Sequence, residues 1–137
     1  MKRSASLLLI ELTIMLLIFS LAAALCVQAF VWADNRSRQS ANEDMALFHA
    51  RNAAEVLKHC NGDFALAAQT HGGSWDGVWK IAYNGKWEIT EGAAKYSLLV
   101  EPVDTAQELL GQAKLIVRNE DGTVLAELTV CWQEVTQ

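Results

Sequence analysis

The chain has 137 residues and a formal net charge of −5, and 52% of its residues are hydrophobic. One apolar segment near the N-terminus inflates that share. Outside this segment about 100 residues remain, which is enough for one small domain and too few for two. Because phosphate contacts are made by clustered Lys and Arg, the acidic balance argues against direct nucleic-acid binding.

The N-terminal segment combines a short basic leader with a long apolar run. The leader contains Lys2 and Arg3, and no formal charge occurs from Leu12 to Ala33. A helix of that length is about 33 Å long and spans a hydrocarbon core of about 30 Å. The run is too long for a cleaved secretory signal, and bulky Leu25 before Cys26 does not fit a lipoprotein signal. A plain signal anchor remains open.

Glu11 places a carboxylate inside this apolar run. An ionised group near the bilayer centre costs roughly 2.5–3.5 kcal/mol on insertion scales, and such a residue is a functional hypothesis by default. A simple anchor has no need of it. The short basic tail favours a cytoplasmic N-terminus, although Arg36 and Arg38 follow the run at its other end.

The stretch from Ser6 to Leu12, Ser-Leu-Leu-Leu-Ile-Glu-Leu, resembles the processing signal of type IV pilins and type II secretion pseudopilins. That signal has a basic leader, a small residue, an apolar first mature residue and a glutamate at the fifth mature position. With Leu7 counted first, Glu11 is fifth. The resemblance implies that a prepilin peptidase cuts between Ser6 and Leu7 and methylates the new amine. It also implies that Glu11 faces that amine on a neighbouring subunit.

The resemblance further implies a pilin-like α+β fold. A long N-terminal helix, transmembrane in its first half and amphipathic in its second, would pack against a small antiparallel β-sheet head. The expected divisions are a leader (1–6), a transmembrane helix (7–33), its extracytoplasmic continuation (34–61) and a globular β-rich head (62–137).

The function implied is that of a minor structural subunit in a type II secretion, competence or type IV pilus filament. The expected partners are the prepilin peptidase, other pilin or pseudopilin subunits, an assembly platform protein in the membrane, and the lipid bilayer. The expected location is the bacterial inner membrane, with one span, a cytoplasmic N-terminus and an extracytoplasmic head. The alternative is an unprocessed, membrane-anchored extracytoplasmic binding domain.

Helical signals continue beyond the apolar run. The polar stretch 34–44 contains no Gly or Pro, and from Met45 to Cys60 apolar residues recur at steps of three and four. Asn61-Gly62 is typical of a helix C-terminus. Asp63 is a candidate N-cap for a short helix that ends at Gly72-Gly73.

Strand signals dominate the rest of the chain. Asn84-Gly85 is a strong hairpin signal, and a second turn is expected at residues 119–122. The predicted strands are Val78–Tyr83, Lys86–Thr90, Tyr96–Val103, Ala113–Arg118 and Thr123–Gln133.

The remaining candidate sites are weaker. Cys60 and Cys131 are a candidate disulfide pair, although strand parity points Cys131 away from the helix that carries Cys60. The three histidines, His49, His59 and His71, fit no compact metal-ligand spacing, and solvated or capping roles are favoured. Three tryptophans near one hairpin, Trp75, Trp79 and Trp87, favour a core or a subunit contact over a binding platform. No catalytic motif occurs, and we expect no enzyme activity, no cofactor and no metal.

Overall fold

The computed structural model describes residues 2–107 and 109–133. The chain is α+β, with one long N-terminal helix, one short helix and a five-stranded antiparallel sheet. It divides into two compact units, Met1–Ser40 and Ala41–Gln137. The elements in chain order are α1 (Lys2–His59), α2 (Phe64–His71), β1 (Ser74–Trp75), β2 (Trp79–Tyr83), β3 (Tyr96–Val103), β4 (Leu110–Asn119) and β5 (Val124–Gln133).

The first unit is the N-terminal part of α1. Within the described residues, α1 is the one helix long and apolar enough to cross a membrane, a feature that N-terminal signal sequences share. Its large apolar side chains from Leu7 to Trp32 are more than half exposed. Length and composition therefore make this unit compatible with a membrane anchor. No break follows the apolar run, and Arg38 bonds Asp34 across one helical turn at 2.9 Å.

Helix α1 ends where the sequence predicted. Asn61 and Gly62 both have positive φ, 52° and 80°, and the Gly62 N–H donates to the Leu57 carbonyl at 2.9 Å. This left-handed turn satisfies carbonyls that the helix end leaves free. Asp63 then caps α2, as expected, by accepting from the Leu66 N–H at 3.0 Å.

The sheet has the order β1-β2-β3-β4-β5, with all neighbours antiparallel. The predicted strand Tyr96–Val103 is confirmed as β3, and the predicted second hairpin is confirmed as β4 and β5. In its turn, the Asn119 side-chain oxygen accepts from the N–H groups of Asp121 and Thr123. The short strand β1 was not predicted.

The expected hairpin around Asn84-Gly85 is wrong in its second strand. Residues Lys86–Thr90 form a loop that meets β2 and the adjoining Asn84 through one bridge, Tyr83 to Ile89, and two backbone hydrogen bonds of 2.9 Å. Strand β2 pairs regularly with β3. The Asn84 side-chain oxygen holds the loop by accepting from the N–H groups of Lys86 and Glu88. A regular two-residue hairpin would put Trp87 on the outer face of the sheet, because side chains alternate along a strand. The loop, with φ 63° at Trp87, buries it instead.

The core of the second unit lies between the C-terminal part of α1 and one face of the sheet. The helix contributes four alanines and one leucine at helical spacing, Ala46, Ala50, Ala53, Ala54 and Leu57. The central strands contribute Trp79, Ile81, Tyr83, Leu98, Val100, Ala113, Leu115 and Val117. Small helical side chains let the helix approach the sheet closely. The predicted packing of a sheet against this part of the helix is confirmed.

Candidate functional site

The processing and assembly residues lie in the first turns of α1. Ser6, Leu7 and Glu11 are all helical and exposed, and Leu7 is 68% exposed. Because they are four residues apart, Leu7 and Glu11 share one face of the helix. The Leu7 and Glu11 side chains are therefore exposed on the same face of α1.

Glu11 differs from the other polar side chains around it. The hydroxyls of Thr13 and Ser20 each donate to the carbonyl four residues earlier, both at 2.8 Å. Glu11 forms no ion pair with any side chain that the structure describes. In hydrocarbon an unpaired carboxylate is costly.

The three cysteines are free thiols in separate environments. Cys60 is buried in the core of the second unit, whereas Cys26 and Cys131 are exposed. On β5 the Cys131 side chain lies on the same face of the sheet as Thr129 and Glu127, opposite the face that carries Val130. The candidate pair Cys60 and Cys131 therefore forms no disulfide in this structure.

The tryptophans do not form a shared exposed platform. Trp79 and Trp87 are core residues, 0% and 8% exposed. Trp75 is 38% exposed and stacks on Phe64, with ring centroids 4.8 Å apart. This arrangement agrees with the expectation that these rings favour packing over recognition.

An aromatic and histidine cluster fills the interior near the 84–95 loop. Trp87 is stacked between Tyr96 and His49, with centroid distances of 4.0 Å and 5.3 Å. The Tyr96 hydroxyl donates to the Asn42 side-chain oxygen of α1 at 3.3 Å. Tyr83 completes the cluster, 4.5 Å from the His49 ring.

The positions of His49 and His71 correct the expectation of solvated or capping histidines. Both are half-buried, and the Nε2 atoms of both and the Tyr83 hydroxyl are buried without a described hydrogen-bond partner. Burial lowers the pKa of His49, and the nearby His71 lowers it further. Burial alone lowers the pKa of His71. The sequence spacing indicates the burial of His49. His49 lies three residues after Ala46 and four before Ala53, so it stands beside the face of α1 that packs into the core.

Burial also raises the pKa of Tyr83 to about 12. The phenol therefore stays protonated throughout the physiological range. Within the described residues no group of three His, Cys, Asp or Glu side chains is arranged to hold a metal ion. Burial therefore favours the neutral forms of His49, His71 and Tyr83.

Comparison with known proteins found no matching family model, no matching curated protein and no matching solved structure.

Proposed function

We propose that this chain is a minor structural subunit, pilin-like or pseudopilin-like, of a filament of the type II secretion, competence or type IV pilus kind. The observation that carries the proposal is the register of Glu11, fifth from Leu7 in an exposed apolar helix. The absence of an ion pair to Glu11 within the described chain supports an intermolecular role. The α+β head that follows the helix is compatible with this class.

The proposed assembly step follows from electrostatics. Cleavage between Ser6 and Leu7 removes Lys2 and Arg3 and creates a cationic amine at the new N-terminus, which the same peptidase methylates. The amine of one subunit pairs with Glu11 of the next. Breaking a buried ion pair costs about 3–5 kcal/mol, since it leaves one charge uncompensated. A mismatched axial register would leave both charges unpaired, so this contact selects the register.

The partners in this proposal are the prepilin peptidase, other filament subunits and an assembly platform protein in the inner membrane. The head lies outside the cytoplasm. The role is structural, and the proposal includes no catalysis and no cofactor.

N-terminal mass spectrometry of the membrane-extracted protein tests the proposal. The chain is expressed with and without an active prepilin peptidase, and a variant with Ser6→Leu serves as the control with a bulky residue before the cut. We expect a methylated chain beginning at Leu7 only when the peptidase is present and Ser6 is intact. A chain that still begins at Met1 beside an active peptidase contradicts the proposal and favours the unprocessed binding domain.

A further inference from the structure

The two edges of the sheet are unequal. One edge is β1, which has only two residues, and the other is β5, which has ten. An edge strand presents a row of unpaired N–H and C=O groups that can pair with another chain. In the described part of the chain, β4 is the one strand paired with β5. Among the described residues, the outer side of this long edge has no strand partner.

Apart from a register shift opposite Val117 and Arg118 at its start, strand β5 has few of the features that protect an edge. Its sequence, VLAELTVCWQ, contains no proline, glycine or lysine. Its single charged residue, Glu127, is paired with Lys114 of the adjacent strand at 3.0 Å. Natural edge strands are commonly protected by lysine, proline, inward-pointing charges or short length. The composition of β5 instead favours strand addition.

The core-facing side of β5 is incompletely covered. Ala113, Leu115 and Val117 on β4 are 0% exposed. The corresponding row on β5 includes Ala126 and Leu128, which pack on the core yet remain partly exposed. An additional strand beside β5 would cover these apolar side chains.

A groove runs between this edge and α1. It has a volume of about 450 Å³ and is lined by Arg51, Ala54, Glu55 and Lys58 of α1 and by residues 128–131 of β5. Lys58 lies 3.5 Å from Glu55, so these two charges offset each other. Arg51 is exposed and forms no ion pair among the described side chains. The groove thus has a net positive character in a chain of net charge −5.

We propose that the outer edge of β5 is a docking site for an extended acidic segment of another protein. The segment would add to the sheet as a sixth strand, with backbone hydrogen bonds to β5. Its apolar side chains would cover Leu128 and Ala126, and a carboxylate would face Arg51. This mode of recognition takes its affinity from the main chain and its specificity from alternate side chains. The inference concerns the head alone and does not depend on the filament proposal.

The charge pattern favours a different protein over a second copy of this chain. In a β5–β5 pair the only carboxylate within either strand is Glu127, which already bonds Lys114. The described residues of β5 in such a pair would therefore offer Arg51 no unpaired carboxylate. A segment with its own free carboxylate satisfies Arg51.

Synthetic peptides and the full chain in detergent micelles test the proposal. The probe is a ten-residue peptide of alternating valine and threonine with a central glutamate, and its control carries lysine there. Binding is measured by fluorescence anisotropy, and the contact is located by amide hydrogen exchange. The charge-reversal variant is Arg51→Glu, and Lys86→Glu on the 84–95 loop is the matched control.

We expect the acidic peptide to slow exchange of the outward amides of residues 125–133 and to bind about fivefold more tightly than the lysine peptide, as for a solvent-facing ion pair. Arg51→Glu should reverse the preference, and Lys86→Glu should preserve it. Binding without β5 protection would overturn the proposal, as would equal binding of both peptides. Concentration-dependent protection of β5 without peptide would overturn it in favour of a second copy.

Discussion

Trp87 lies nearly parallel to Tyr96, with ring centroids 4.0 Å apart and 5° between the ring planes. The contact joins the 84–95 loop to the start of β3, and Tyr96 in turn bonds Asn42 of α1. The loop and the start of β3, which follow each other in sequence, therefore meet α1, which is 54 residues away at Asn42. Because Trp87 has a φ of 63°, which is rare for a bulky residue, the packing must outweigh a local backbone cost.

Trp87→Ala should destabilise the head by about 3–5 kcal/mol, the usual range for truncating a buried aromatic side chain. The matched control is Trp75→Ala, which removes a ring that is 38% exposed and should cost clearly less. Hydrogen exchange of the β3 amides across a urea series measures both effects within the full chain. Equal costs for the two variants would show that the stack is not a principal source of stability.

Gly62 and Gly122 provide a paired test of the contact with Trp132. Their φ angles are 80° and 81°, so alanine meets the same backbone strain at each position. A Cβ at Gly62 would also collide with the Trp132 indole, whereas nothing lies within 4 Å of one at Gly122. Gly62→Ala should therefore be the more destabilising variant by at least about 1 kcal/mol, in the range typical of overpacking.

Combining Gly62→Ala with Trp132→Leu checks the cause of that difference. The double variant should lose less stability than the sum of the two single changes, since Trp132→Leu removes the indole with which the new Cβ at residue 62 would collide. Urea unfolding of the four proteins measures the coupling. Simple additivity would assign the cost of Gly62→Ala to the backbone.

The stability of the head should depend on pH through His49 and His71. Burial favours their neutral forms, so the folded pKa values lie below the ordinary 6.5. As pH falls below about 6.5 the unfolded chain takes up protons first, and stability declines until the lowered folded pKa values are reached. Above about pH 6.5 the contribution of His49 and His71 to the stability of the head no longer changes with pH.

Urea midpoints between about pH 7.5 and pH 5 measure this dependence. His49→Phe should keep the stack on Trp87 and flatten the pH profile, whereas His59→Phe, at an exposed position, should leave its slope unchanged. A profile that is as steep in His49→Phe as in the unaltered chain would contradict the assignment.

Glu11→Gln tests the proposed pairing with the neighbouring amine. The change removes a charge from the apolar helix, so membrane insertion should be maintained or improved. Incorporation into the filament should fall sharply, because the amine of the adjacent subunit is left without an anion. Thr13→Val is the control, since its hydroxyl is satisfied within its own helix. Membrane fractionation and counting of sheared filaments separate insertion from assembly, and normal assembly of the Glu11 variant would refute the pairing.

The sequence by itself determined the elements whose signals are local. The apolar run predicted the N-terminal helix, Asn61-Gly62 predicted its end, and Asp63 predicted the next N-cap, because each depends on hydrogen bonds within a few residues. The turn at Asn119–Gly122 likewise set the β4–β5 hairpin. The sequence also showed that Glu11 is the fifth residue counted from Leu7. The role of Glu11 in assembly stays a prediction.

Only the tertiary structure decided which strands pair and which polar groups are buried. The local signal at Asn84-Gly85 favoured a regular two-residue hairpin, but burial of Trp87 against Tyr96 favours an irregular loop. The pairing of β2 with β3 also had no local signal. His49 and His71 are far apart in sequence and come near each other only when α2 packs against β1 and β2. Likewise, the exposed edge of β5 follows from sheet order, which depends on contacts between distant segments. Such contacts have no local signature, because their energy is gained only when the segments meet.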